Sequence, residues 1–125
     1  MTTAKAYLEA ANAEVTRIPG GDAIAKHGSS TVFVDVRDSA AITASGTIQG
    51  AVRIPRGFLE FAADPAMEQF HNPAMQKDAE LCLVCGAGGQ AALAGKTLKE
   101  MGYTNVTNIG GISEWKEAGG PMEDG

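Results

Sequence analysis

The chain has 125 residues, 44% hydrophobic and 20% charged, which suits one soluble globular domain with a real core and is too short for two. A formal net charge of −5 leaves no basic stripe to displace counterions, which argues against nucleic acid as a partner and requires any anion site to be local. Two cysteines make no disulfide framework, and no window approaches the roughly 18 consecutive apolar residues of a membrane span, so the sequence reads as cytoplasmic with reduced thiols.

Residues Ala4 to Ala13 are expected to form a helix, alanine-rich, with Tyr7, Leu8 and Ala11 on one side. "EVTRIPGG" is a short extended piece ended by Pro19-Gly20-Gly21, and "DAIAKHG" a short helix capped by Gly28. "STVFVDVRD" carries the strongest strand signal. Val32, Val34 and Val36 face one way and Phe33 the other, as in a central parallel strand buried on both faces. "SAAITASGTIQGAVRIP" predicts a short helix, a turn at Ser45-Gly46 and a brief strand ending at Pro55; "RGFLEFAADPAMEQFHNPAMQK" is helical in parts, broken by Pro65 and Pro73. "AELCLVC" is a second buried strand. "GQAALAGKTLKEMG" is a helix with apolar Ala92, Leu93, Leu98 and Met101, ended by Gly102. "YTNVTNI" is a third strand, followed by Gly110-Gly111 and the small helix "ISEWKEAGG". Strands alternating with helices imply a parallel sheet covered on both faces. The expected organisation is a single unit over 1–125, a helix at 1–13 preceding a core at 14–122.

The stretch "LCLVCGAGGQAALAGKT" (Leu81–Thr97) holds fragments of several signatures. Cys82 and Cys85 form a C-x-x-C, but both belong to an extended run. Strand residues three apart point to opposite faces and lie roughly 10 Å apart, whereas a disulfide needs Cα atoms within about 7 Å. A zinc site would need a second ligand pair, and His27 and His71 are not spaced as one. No metal and no cofactor are expected, and Cys82 reads as a small buried hydrophobe. A phosphate-binding loop would need glycine where Gln90 stands, and the G-x-G-x-x-A at Gly86, Gly88 and Ala91 lacks the acidic residue after the next strand, which ends "NVTNIGG". What survives is a thiol, Cys85, at the carboxyl end of a buried strand, ahead of glycines and a helix start. Backbone N–H groups of Gly86 to Gln90 can curl around its sulfur with the helix dipole aimed at it, favouring thiolate and able to hold a small anion or a sulfane sulfur.

Four blocks together resemble a single-domain rhodanese: "VFVDVRD" (Val32–Asp38), "GTIQGAVRIPRG" (Gly46–Gly57), the strand–cysteine–loop–helix around Cys85, and "NIGGISEWKEAGGP" (Asn108–Pro121). They stand in the family's order and cover nearly the whole chain; "RGFLEFAADP" and "EMGYTNV" resemble a bacterial group of small stand-alone members. The resemblance implies an α/β fold of three layers, α/β/α, around a central, mostly parallel five-stranded sheet. It implies a sulfurtransferase that moves a sulfane sulfur from a small sulfur-containing anion, such as thiosulfate, or from a persulfide, through a Cys85 persulfide, to a thiol or another thiophilic acceptor. Carried over, Cys85 is the nucleophile, and Gly86, Ala87, Gly88, Gly89 and Gln90 are the substrate-binding loop. Asp35 and Arg37 match a strand-end pair that supports neighbouring loops, and Trp115 matches a core aromatic.

The chain also departs from the pattern. Active members carry arginine five residues after the cysteine, then serine or threonine; here these are Gln90 and Ala91. Loss of a charge-assisted contact, about 1.5–3 kcal/mol, implies weak thiosulfate activity. Arg53 and Arg56 are candidates for the pocket mouth, while Lys96 falls on the outer part of the following helix. Phosphate-ester chemistry is excluded because the loop is too short and ends without arginine. Two readings follow: a sulfurtransferase without nucleic-acid or membrane partners, or a non-catalytic module of the same fold that binds a protein partner or senses a ligand.

Overall fold

A computed structural model describes residues 1–125. Five strands form one sheet in the order β1-β6-β5-β2-β4, every pairing parallel: β1 (Thr16–Arg17), β6 (Val106–Gly111), β5 (Leu81–Cys85), β2 (Val32–Asp35) and β4 (Val52–Arg53). A second, antiparallel pair joins β3 (Thr47–Ile48) to β7 (Met122–Glu123). The helices are α1 (Ala4–Glu14), α2 (Ser39–Ser45), α3 (Leu59–Ala63), α4 (Gly89–Glu100) and α5 (Ile112–Glu117). No helix is long and apolar enough to cross a membrane. The expected three-layer α/β/α arrangement is present, with an all-parallel central sheet.

Alternation along the strands divides the core in two. Val34, Val36, Leu81, Leu83 and Cys85 belong to the layer that holds α3 and α4, with Val32 packed against it; Phe33, Cys82 and Val84 belong to the layer of α5 and Trp115. All five positions of β5 are buried, as a central parallel strand requires. Each fully buried Leu or Val contributes about 1.5–3 kcal/mol, so β5 and β2 anchor the molecule. Helix starts follow local chemistry: Thr3 Oγ1 accepts from the Ala6 N–H at 3.0 Å, and Asp38 Oδ1 from the Ala41 N–H at 2.8 Å.

Several expectations are corrected. Tyr7 is 59% exposed, and Ala11 is the buried residue of α1; α1 docks on α4, a close approach that admits only a small side chain. On α4 the inward positions are Ala91, Ala92, Ala94, Gly95 and Leu98, while Leu93 is only half-buried. A Cβ at Gly95 would press on both methyls of Val15, so smallness rather than hydrophobicity selects the packed face. "DAIAKHG" forms a 3-10 helix over Gly20–Lys26 that ends at His27, one residue before Gly28, where φ is +84°. The brief strand expected before Pro55 is two two-residue strands, β3 and β4.

Candidate active site

Cys85 ends β5 at the carboxyl edge of the sheet, where open α/β proteins place their ligands. Its Sγ accepts the N–H of Gly88 at 2.9 Å and that of Ala91 at 3.4 Å. Of the expected Gly86–Gln90 amides only that of Gly88 reaches the sulfur, and the second donor, Ala91, lies one residue past that range. Gly88 makes it possible: at φ +102° it turns the chain into the twelve-residue α4, a conformation that favours glycine. Cys85 is 1% exposed, so a reactant must be small or slender to reach the sulfur. Gly86, Ala87 and Gln90 are exposed, Gly89 half-buried and Gly88 buried.

The loop is held by β6. Between Leu83↔Asn108 and Cys85↔Gly111 the β5–β6 register slips, and Gly110 sits there at φ +83°. Strand alternation puts Asn108 on the face of Val106, the face α4 covers: its Nδ2 donates to the Gly88 carbonyl at 2.9 Å while its Oδ1 accepts the Gly110 N–H at 2.8 Å. Gly111 lies directly beneath; a Cβ there would collide with the Gly86 carbonyl oxygen. Asn108 stands at the strand end where a dinucleotide site would need an acidic residue, and its bracketing role carries no local sequence signal.

Asp35 and Arg37 close the end of β2, beside β5. Asp35 Oδ1 accepts from the Arg37 backbone N–H (3.0 Å) and Nε (3.1 Å), and Oδ2 from Arg37 Nη2 (2.8 Å) and Thr47 Oγ1 (2.7 Å). Arg37 also donates to Ser45 Oγ and the Gly46 carbonyl, both at 2.8 Å. This buried network ties β2, the end of α2 and β3 together.

The cations near the loop are distributed differently from the expectation. Arg56 donates to Glu60 at 2.9 Å and to Thr97 at 3.0 Å, two helical turns along α4 from Gln90, and Arg53 donates to Glu123 at 2.9 Å and the Asp124 carbonyl at 2.7 Å. Lys96 pairs with Glu100 and Glu14. The cation that touches the loop is Arg17, which sequence reading did not single out. Its guanidinium packs on Gly88 and donates from Nη2 to the Ala87 carbonyl at 3.4 Å and to Glu114 Oε1 at 3.3 Å. His71 Nε2 bonds the Met75 carbonyl at 3.0 Å, and Trp115 is fully buried, with Nε1 donating to the Pro121 carbonyl at 2.9 Å.

The two cysteines differ in environment. Cys82 faces the opposite layer, where burial, and secondarily the Glu80 carboxylate, push its thiol up to about 11 against a pull from Lys26. No group of three or more His, Cys, Asp or Glu side chains converges to hold a metal.

Residues 22–118 match the family described as "Rhodanese-like domain". The chain is 33% identical over 67 residues to the thiosulfate sulfurtransferase PspE of Escherichia coli, 54% of this chain and 58% of that protein, so it spans little more than half the length of that curated relative. Among solved structures it is similar to a protein of unknown function from Rhodopseudomonas palustris, RPA3614, described as a possible tyrosine phosphatase (TM-score 0.90, 38% identity, 98% of this chain and 96% of that one). It is also similar to the homodimeric polysulfide-sulfur transferase of Wolinella succinogenes (TM-score 0.72, 29% identity, 97% and 87%). With more than half of its residues in the match and sulfurtransferases among its relatives, the chain belongs to the rhodanese-like domain family.

Proposed function

We propose that the protein is a sulfurtransferase that carries sulfane sulfur on Cys85. The observation that carries this reading is the Cys85 sulfur receiving two backbone N–H groups at the mouth of α4. Such a ring stabilises negative charge on sulfur, whether on the thiolate or on a persulfide. In the first half-reaction the thiolate attacks the outer sulfur of the donor. The donor's S–S bond breaks, and the leaving group (sulfite from thiosulfate, a shortened chain from a polysulfide) departs with the electron pair. In the second, an acceptor thiolate attacks the terminal sulfur of the persulfide and Cys85 leaves as thiolate. Gln90 brings no charge to the loop, so thiosulfate is the weaker donor and a thiol persulfide or polysulfide the better one. The setting is the cytoplasm, where thiol acceptors are kept reduced. Phosphate-ester hydrolysis is disfavoured because the end of the loop, Gln90 followed by buried Ala91, supplies no arginine to clamp three oxygens.

The test is intact-mass analysis after incubation with thiosulfate or with a thiol persulfide. An adduct of one sulfur on Cys85, absent in Cys85→Ser and formed faster from the persulfide, is expected. No adduct from either donor, with function in cells retained by Cys85→Ser, would establish the non-catalytic binding module instead.

A further inference from the structure

The loop that cradles Cys85 is held by a pair of residues from outside it. Arg17 of β1 and Asn108 of β6 are register partners on adjacent strands. Their side chains donate to consecutive loop carbonyls, Arg17 to that of Ala87 and Asn108 to that of Gly88. The chain has no cis peptide, so the Ala87 C=O and the Gly88 N–H lie at opposite edges of one peptide plane. That plane is therefore gripped at both edges, by the Arg17 guanidinium on the oxygen and by the Cys85 sulfur, 2.9 Å from the nitrogen.

We propose that Arg17 is a positioning residue for Cys85, fixing and polarising the Ala87–Gly88 peptide so that its N–H is aimed at the sulfur. This rests on Cys85 being the reactive thiol. A cation on the carbonyl oxygen draws electron density from the amide and makes its N–H a stronger donor toward an anionic sulfur. Three further features of the site fit. Gly88 and Gly110, both with positive φ, carry no Cβ where the guanidinium lies; a Cβ on Gly88 would collide with it, and one on Gly110 would stand 3.0 Å from Nη2. Glu114 accepts from the same Nη2 that reaches the Ala87 carbonyl, setting its orientation. Gln90 contributes no charge, and Arg17 is the cation in contact with the loop, through its backbone.

The experiment follows alkylation of Cys85 by iodoacetamide at pH 7, read by peptide mass mapping, in the wild type, Arg17→Met and Arg17→Lys. Arg17→Met keeps the aliphatic stem and removes charge and donors. It is expected to slow alkylation severalfold, less than the roughly tenfold that losing a direct hydrogen bond to the sulfur would cost, because Arg17 acts through the Ala87–Gly88 peptide. Exchange of the Gly88 amide proton should speed up, with the melting temperature unchanged because Arg17 is half-exposed. Arg17→Lys, which keeps the charge and a donor, should recover part of the rate. Unchanged alkylation in Arg17→Met overturns the proposal, as does equal slowing in both variants, which would reduce Arg17 to packing. Failure of wild-type Cys85 to take up one sulfur from a thiol persulfide would instead sink the sulfurtransferase reading, so the two failures are distinguishable.

Discussion

Gly111→Ala puts one methyl group under the Cys85 loop. The new Cβ would lie well inside 3.0 Å of the Gly86 carbonyl oxygen, and its other near neighbours, the Gly86 carbonyl carbon and Ala87 Cα at 3.1 and 3.3 Å, are also backbone. No flexible side chain is there to swing away. Restoring normal van der Waals separation moves the loop on the order of 1 Å relative to β6. The Gly88 N–H then leaves the sulfur, and a misplacement of that size in a reacting constellation costs roughly 100-fold in rate. Overpacking should also lower stability, by about 1–3 kcal/mol. The assay is the rate of single-sulfur loading of Cys85 from a thiol persulfide, followed by intact mass, beside urea unfolding. Gly57→Ala is the control: Gly57 is exposed and its Cβ would meet nothing within 4 Å. Loading by Gly111→Ala at the wild-type rate would refute the claim that loop placement on β6 governs Cys85.

Two further predictions concern the core. Asp35→Ala and Arg37→Met should each cost about 3–5 kcal/mol in urea unfolding, since each strands a buried charge. The double variant should cost less than the sum, with a coupling of about 2 kcal/mol or more; additive costs would show that the pair is not a unit. Cys82 supplies a pH dependence. Its thiol sits at about 11 in the fold against an ordinary 9.0, so the unfolded chain ionises first as pH rises. The resulting stability, about 2–3 kcal/mol, is complete below pH 9 and lost between about 9 and 11. Cys82→Ala should flatten that alkaline limb of the pH–stability curve, and an unchanged slope would count against the burial argument.

What the sequence disclosed was carried by local chemistry. The β-branched run at β2, the apolar run at β5 and the glycines after Cys85 each announce their conformation without help from distant residues, and the family's block order then supplies the sheet. Arg17 was hidden for the opposite reason. It lies on a two-residue strand, 70 positions from the Ala87 carbonyl that it bonds, and no periodicity links them. Asn108 reads as an ordinary strand residue because the carbonyl it bonds, that of Gly88, lies 20 residues earlier in the loop after the neighbouring strand. The packed face of α4 was legible only in part: Ala92 and Leu98 point inward as expected, Leu93 and Met101 are half-buried, and Ala91, Ala94 and Gly95 complete the face because small residues carry little hydrophobic signal.

The placement of Cys82 and Cys85 on opposite faces of β5 limits what can follow sulfur loading. Many thiol-based carriers discharge through a resolving thiol in the same molecule, which forms an internal disulfide and must then be reduced. Here the neighbouring cysteine lies behind the sheet with its own thiol held protonated by burial. Under the proposed function, a sulfur taken up by Cys85 has no second thiol of this chain on its side of the sheet and leaves with an external acceptor.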